Sequence, residues 1–217
     1  MKNKIAFTGY AGSGKDWVAR KIRSINGGGT RFAFADGLKK DLAKLIGIED
    51  QWEKLLYSED FKQGQYMSFD NYKLHSLGEL AERGYSLKTA ADLSKQENGP
   101  LDTDAIQIRE LMVYYGTYVM QAKLGKGVWV QRVFNSREYQ KAKGLITITD
   151  LRFPLEYEKC REQGFKIVRV ISDSDIIAKN IAESYIDQFE FDYTIKNSRL
   201  DISGLEIKKL YDWMLHD

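Results

Sequence analysis

The chain has 217 residues, 43% of them hydrophobic, and its 33 basic and 31 acidic residues leave a formal net charge of +2. That length supports one substantial α/β domain with an inserted subdomain, residues 1–217 forming a single unit of organisation, and the near balance of charge creates no demand for a polyanionic partner. Cys160 stands alone, which excludes an intrachain disulfide, no apolar run reaches membrane-spanning length, and His75 and His216 lack neighbours at zinc-ligand spacing. No membrane association is expected; the lone cysteine points to a reducing, cytoplasmic location, and a strand and a loop are expected where a cleavable leader would stand.

The segment Lys4-Ile5-Ala6-Phe7-Thr8 reads as a buried strand, and Trp17, Val18 and Ile22 open a helical stripe. Between them lies Gly9-Tyr10-Ala11-Gly12-Ser13-Gly14-Lys15-Asp16. Glycines at 9, 12 and 14 let a backbone bend around an anion with its N–H groups inward, the following helix offers its positive dipole end, and Lys15 reaches toward outer phosphates. The Ser or Thr usual after the lysine is replaced by Asp16, which can ligate Mg²⁺ directly or through water, or can act only on the helix dipole.

A glycine-rich loop at 27–29 leads to a second strand, Arg31 to Ala35, with Asp36 at its end. Gly37 to Ile46 then reads as a helix whose stripe is Leu38, Leu42, Leu45 and Ile46. From about 50 to 104 the pattern gives helical fragments and loops without a convincing strand, which predicts a helical insertion. A helix is expected from Asp104, capped by that side chain with Gln107 completing a capping box, and running to Gly125. Seven residues make nearly two turns, so Arg109 and Gly116 share a direction. Gly116 could admit a substrate to the backbone or simply permit a tight helix crossing.

Leu145 to Thr149 is a strand that delivers Asp150-Leu151-Arg152-Phe153-Pro154 to the carboxyl edge of a parallel sheet, the edge where ligands bind. Asp150 and Arg152 are therefore site candidates, with a helix cap and a surface ion pair as the plainer alternatives. Phe165 to Ile171 and Asp192 to Lys196 supply further strands, and Ile202 to Leu215 a closing helix.

Gly9 to Asp16, Phe34 to Lys39, Arg109-Glu110-Leu111 with Gly116-Thr117, Trp129, Asp150 to Pro154 with Glu156, and Asp192-Tyr193 with Asn197 and Leu205 together resemble the phage-type deoxynucleoside monophosphate kinases. The resemblance spans nearly the whole chain, and departs from the family at Gly37 and Leu155, where Pro and Asn are usual. It implies an α/β P-loop kinase fold, with a central parallel sheet flanked by helices and a helical monophosphate-binding insertion. It also implies ATP as donor with Mg²⁺, and a deoxynucleoside monophosphate as acceptor, in support of DNA precursor synthesis. By that analogy Gly9, Gly12, Ser13, Gly14, Lys15 and Asp16 hold ATP, and Asp16 and Asp150 arrange the metal. Arg152 neutralises the transferring phosphate, while Asp36, Lys39, Arg109, Gly116 and Thr117 serve the acceptor. Similar enzymes include dimers, and nothing in the sequence fixes the oligomeric state. Other readings are a P-loop kinase for another small acceptor, such as a phosphomevalonate-type substrate, and a nucleotide-gated ATPase that binds nucleic acid. The latter lacks a concentrated basic patch, and no stable nucleic-acid partner is expected.

A lid is expected between about 172 and 191. Its one basic residue is Lys179, among Asp173, Asp175, Glu183, Asp187 and Glu190. Positive charge for the transition state should therefore come mainly from the body of the protein, Arg152 first, with Arg132 and Arg137 in reserve.

Overall fold

The computed structural model describes residues 3–172, 184–197 and 204–216. Lys179 and the other expected lid residues from 173 to 183 lie outside the described residues. Among the described residues nine strands occur in chain order: β1 (Lys4–Thr8), β2 (Thr30–Phe32), β3 (Tyr66–Ser68), β4 (Leu74–His75), β5 (Ser86–Lys88), β6 (Asp104–Gln107), β7 (Ile146–Ile148), β8 (Lys166–Ser172) and β9 (Tyr193–Asn197). Two compact units emerge, Met1–Phe34 with Val130–Asp217, and Ala35–Trp129.

The first unit holds a five-stranded sheet in the order β2-β7-β1-β8-β9, every neighbouring pair parallel. Its inner strands β1 and β7 are buried almost throughout, as strands covered on both faces require, while the edge strands β2 and β9 are more exposed. Ile5, Phe7, Val168, Val170 and Ile195 join Val18 and Ile22 of the helix Lys15–Ile25 and Ile207, Leu210 and Met214 of the helix Leu205–His216 in one core. Ala6, Ile146, Ile148 and Ile167 are equally buried, and aromatic edges at Phe32, Phe134, Tyr139 and Phe165 close a second cluster. Cys160 is buried and unoxidised within the helix Pro154–Glu162, where burial raises its thiol pKa well above the ordinary value.

The second unit departs from expectation. Instead of helices and loops alone, it contains a four-stranded sheet, β4-β3-β6-β5, among short helices. Asp104 does not cap a helix: it begins β6, buried, and its carboxylate accepts hydrogen bonds from the N–H of Leu101 at 2.9 Å and Gln96 Nε2 at 3.2 Å. The helix starts at Ile108, and Gln107 at its cap makes no capping bond with its side chain, which donates instead to the carbonyl oxygen of Gln63 at 2.7 Å. From Tyr114 to Gln121 it continues as a π-helix, then returns to α form until Gly125, whose φ of +89° ends it. Leu42, Ala43 and Ile46 pack with Leu55, Met67, Leu93, Ile106, Ile108 and Leu111 in this unit's core. Leu45, placed in the expected apolar stripe, is exposed. Asp36 lies in the first turn of the helix Ala35–Leu45 rather than at a strand end, because β2 stops at Phe32.

Candidate functional site

The phosphate loop leaves β1 after Thr8 and enters the helix at Lys15. Gly9, Gly12 and Gly14 have φ values of +149°, +83° and +81°, backbone that side-chain-bearing residues rarely adopt. Two are also fixed by crowding. A Cβ on Gly9 would lie 2.3 Å from the carbonyl oxygen of Val170, and one on Gly14 would lie 2.1 Å from Asn197 Nδ2. Asn197 Nδ2 donates to the carbonyl oxygen of Ser13 at 2.8 Å, so the end of β9 braces the loop. Gly14 caps the helix without a side-chain hydrogen bond, so the helix turns its positive dipole end toward the loop. The Ser13 hydroxyl is buried with no hydrogen-bond partner. Lys15 is only 6% exposed, and its Nζ sits 3.5 Å from the carbonyl oxygen of Tyr10, curled over the loop. A buried ammonium beside a helix N-terminus favours an anion of several charges. Asp16, next on the helix, is exposed.

Because β7 runs parallel to β1, its exit turn reaches the same sheet edge. The Asp150 Oδ1 atom accepts the N–H of Phe34 at 2.8 Å. Leu151 is held twice by β1: its N–H donates to the Phe7 carbonyl oxygen at 3.3 Å, and its own carbonyl oxygen accepts the Thr8 hydroxyl at 2.8 Å. Glu156 Oε2 accepts the N–H groups of Arg152 and Phe153 at 2.8 and 3.0 Å. Burial, and then the charge of Asp150, push the Glu156 carboxyl well above the usual carboxylate range, although both N–H bonds favour its charged form. Arg152 Nε is buried with no hydrogen-bond partner. Asp150 and Arg152 are thus brought to the phosphate-loop edge as their position after the strand predicts.

A third cation at this edge, besides Lys15 and Arg152, is not among the residues that the sequence pattern singles out. Arg169 of β8 stands opposite Thr8 in the sheet, its Nη2 donates to Asp187 Oδ1 at 2.5 Å, and Tyr10 of the phosphate loop donates its hydroxyl to the same carboxylate. The guanidinium lies over the rings of Phe191 and Tyr10, 5.2 and 5.8 Å from their centroids. The hydrogen bond from Tyr10 leads the lowering of the Asp187 pKa, with Arg169 adding to it against some burial. A charged residue inside the apolar run Phe165 to Ile171 was the available signal. Asp187 is therefore a neutralised counter-ion rather than a free negative charge.

The second unit carries Asp36 and Lys39 on the helix Ala35–Leu45, Arg109 on the helix Ile108–Val113, and Gly116 and Thr117 on the π-helix. Arg109, its side chain 47% exposed, pairs with Glu59, whose other oxygen pairs with the buried Lys62. Gly116 is buried, and a Cβ there would lie 2.4 Å from Leu38 Cδ1. Its carbonyl oxygen accepts the indole N–H of Trp129 at 3.3 Å. The glycine therefore permits a close helix approach, and the space beside its Cα is filled by Leu38. The common direction expected of Arg109 and Gly116 relied on regular α-helical turns, and a π-helix begins between them at Tyr114. Thr117 is exposed on the same π-helix.

Among the described residues, no group of three His, Cys, Asp or Glu side chains could hold a metal, and no helix is long and apolar enough to cross a membrane. Comparison with curated proteins gives no match. A family model for deoxynucleotide monophosphate kinase matches residues 61–206, more than half of the chain. The match takes in the Asp150 to Glu156 turn, Arg109 and Arg169, while the phosphate loop precedes it and supplies an independent sign of nucleotide chemistry. An α/β fold with a parallel central sheet, a lysine-bearing anion loop at its carboxyl edge and this family match converge: the chain belongs to the deoxynucleotide monophosphate kinase family.

Proposed function

We propose that the donor is ATP, bound with Mg²⁺, and that the described residues divide between donor and acceptor. The observation that carries the donor assignment is the phosphate loop, with left-handed glycines, a helix start lacking a side-chain cap, and Lys15 buried over it. Gly9, Gly12 and Gly14 would wrap the β- and γ-phosphates with backbone N–H groups, Ser13 would add its buried hydroxyl, and Lys15 would neutralise them.

The donor set suits Mg²⁺, a hard cation commonly held by one or two carboxylates together with substrate phosphates rather than by an all-protein cage. Asp16 and Asp150 are the carboxylates for that task, directly or through water. Bound there, Mg²⁺ would supply charge neutralisation across the donor phosphates.

The remaining chemistry is positioning. An oxygen of the acceptor monophosphate attacks the γ-phosphorus, the bond from that phosphorus to the leaving ADP oxygen breaks, and charge spreads over three equatorial oxygens. Arg152 meets that charge from a turn already fixed by backbone bonds, so little reorganisation is required at the moment of reaction. Asp36, Lys39, Arg109 and Thr117 serve the acceptor, Arg109 by exchanging its Glu59 partner for the monophosphate. Gly116 acts by admitting Leu38 and shaping the helix pair. The lid, including Lys179, contributes less positive charge than the body. The reading places the enzyme in the cytoplasm, in a host's if phage-encoded, and leaves no role for a stable nucleic-acid partner.

The test measures ADP and deoxynucleoside diphosphate together, with ATP and each common deoxynucleoside monophosphate, at varied Mg²⁺. Equal yields of the two products with at least one acceptor are expected. ADP without diphosphate for every base would overturn the donor and acceptor assignment together.

A further inference from the structure

We propose that Glu156 is a positioning residue for phosphoryl transfer, whose buried carboxylate fixes the turn from Asp150 to Phe153 and thereby aims the Arg152 guanidinium. The proposal rests on the reading of Arg152 as the charge that meets the transferring phosphate.

Every residue of the turn is tethered from beneath. Asp150 is tied to the N–H of Phe34, Leu151 to Phe7 and Thr8, and Arg152 and Phe153 to the single Oε2 atom of Glu156. Three of these four residues are held through their own backbone groups, and Arg152 and Phe153 depend on Glu156 alone among these ties. Such a carboxylate is a costly way to start a helix. The helix Pro154–Glu162 has proline at its first position, which has no N–H to satisfy, and Glu156 is only 9% exposed. A buried carboxylate is retained where its reach matters, and here that reach joins the helix to the turn that carries Arg152.

The arginine itself supplies the second observation. Its Nε is buried without a hydrogen-bond partner, a donor that a relaxed surface ion pair would have satisfied. A guanidinium held with a donor in reserve, on a backbone that cannot turn away, is prepared for an anion that arrives later. Misplacing such a group by about 1 Å can cost around 100-fold in rate. Control of that displacement is what Glu156 provides.

The experiment is a coupling cycle between Arg152→Ala and Glu156→Ala, read as kcat and the two KM values, with circular dichroism and thermal unfolding on each protein. Arg152→Ala should lower kcat by about 100-fold. Glu156→Ala should lower kcat by about 10-fold or more, with both KM values changed by less than about threefold. The double variant should be no slower than Arg152→Ala, because the carboxylate acts through the arginine. Glu156→Gln keeps an oxygen that accepts both N–H groups and should restore most of the turnover. Glu156→Asp keeps the carboxyl group, loses the reach and should not; if the alanine variant fails to fold, the aspartate variant replaces it in the cycle. A purely structural role would instead lower the unfolding temperature and make the two losses multiply, and that result, or equal damage from Gln and Ala, overturns the proposal. Full turnover in Arg152→Ala would remove the reading of Arg152 itself and the proposal with it.

Discussion

The two units hold their candidate residues in opposite ways. In the first, the phosphate loop and the Asp150 turn are fixed by backbone: glycines with no room for a Cβ, Asn197 on the Ser13 carbonyl, and N–H groups gathered by Asp150 and Glu156. In the second, the exposed Arg109 is held by Glu59, a side chain 56% exposed, which it shares with Lys62. Backbone clamps suit a donor whose phosphates must always lie in one place. A side-chain ion pair can be exchanged, and suits a substrate that must come and go as both reactant and product.

Substitutions can break this contrast. The largest effect should come from Lys15→Ala, with turnover reduced about 100-fold or more and the circular dichroism spectrum kept, since the ammonium meets the loop rather than the hydrophobic core. A loss below tenfold in a folded protein would remove the rigid-donor side of the comparison. Next comes Asp16. Groups that hold a metal through its surroundings commonly cost about 10- to 100-fold in metal affinity when removed, so Asp16→Ala should need correspondingly more Mg²⁺ in an activity titration. Asp16→Ser, with a hydroxyl in the more usual place, should keep more activity, and superimposable titrations for all three proteins would leave Asp16 only its effect on the helix dipole.

Gly116→Ala tests the second unit where it is rigid. The added Cβ would push Leu38, which is itself buried, and overpacking of this kind costs about 1–3 kcal/mol. Thermal unfolding should fall while the acceptor KM holds; a raised KM at unchanged stability would return Gly116 to the substrate. The smallest effect belongs to Glu59→Gln. Exposed pairs contribute about 0–1 kcal/mol, so freeing Arg109 should lower the acceptor KM by no more than about fivefold, whereas Arg109→Ala should raise it. Parallel rises in both variants would show that the pair is a structural strut and not an exchangeable counter-ion.

How much was legible in the sequence follows the same division. Strands such as Lys4–Thr8 and Lys166–Ser172 are apolar runs joined by glycine punctuation, and their order along the chain placed the phosphate loop, Asp150 and Arg152 at one edge. The second sheet was hidden because its strands are two to four residues long and carry Ser, His and Lys where alternation would need apolar side chains. Asp104 before a helical pattern looks like a cap, and only burial beside Leu101 and Gln96 shows that it closes a loop instead. The π-helix left no mark, since apolar residues spaced for an α-helix also fit its first turns. Arg169 was overlooked because a strand pattern draws attention to its apolar members, and Asp187 because a charge counted along the sequence carries no record of the cation that neutralises it.

The strand order also sets a schedule for the molecule's birth. β1 is flanked by β7 and β8, so both of its hydrogen-bonding edges stay empty until residues 146–172 have been made, while Ile5, Ala6 and Phe7 are wholly buried in the finished protein. At about 5–20 residues per second, a ribosome leaves that apolar strand waiting on the order of ten to thirty seconds. The sheet of the second unit, with strands drawn from residues 66–107, can pair within that interval. Bracing of the loop is thereby a late event in synthesis: Asn197 must arrive before the loop begun at Gly9 is held, and by then every strand of the second unit has been made.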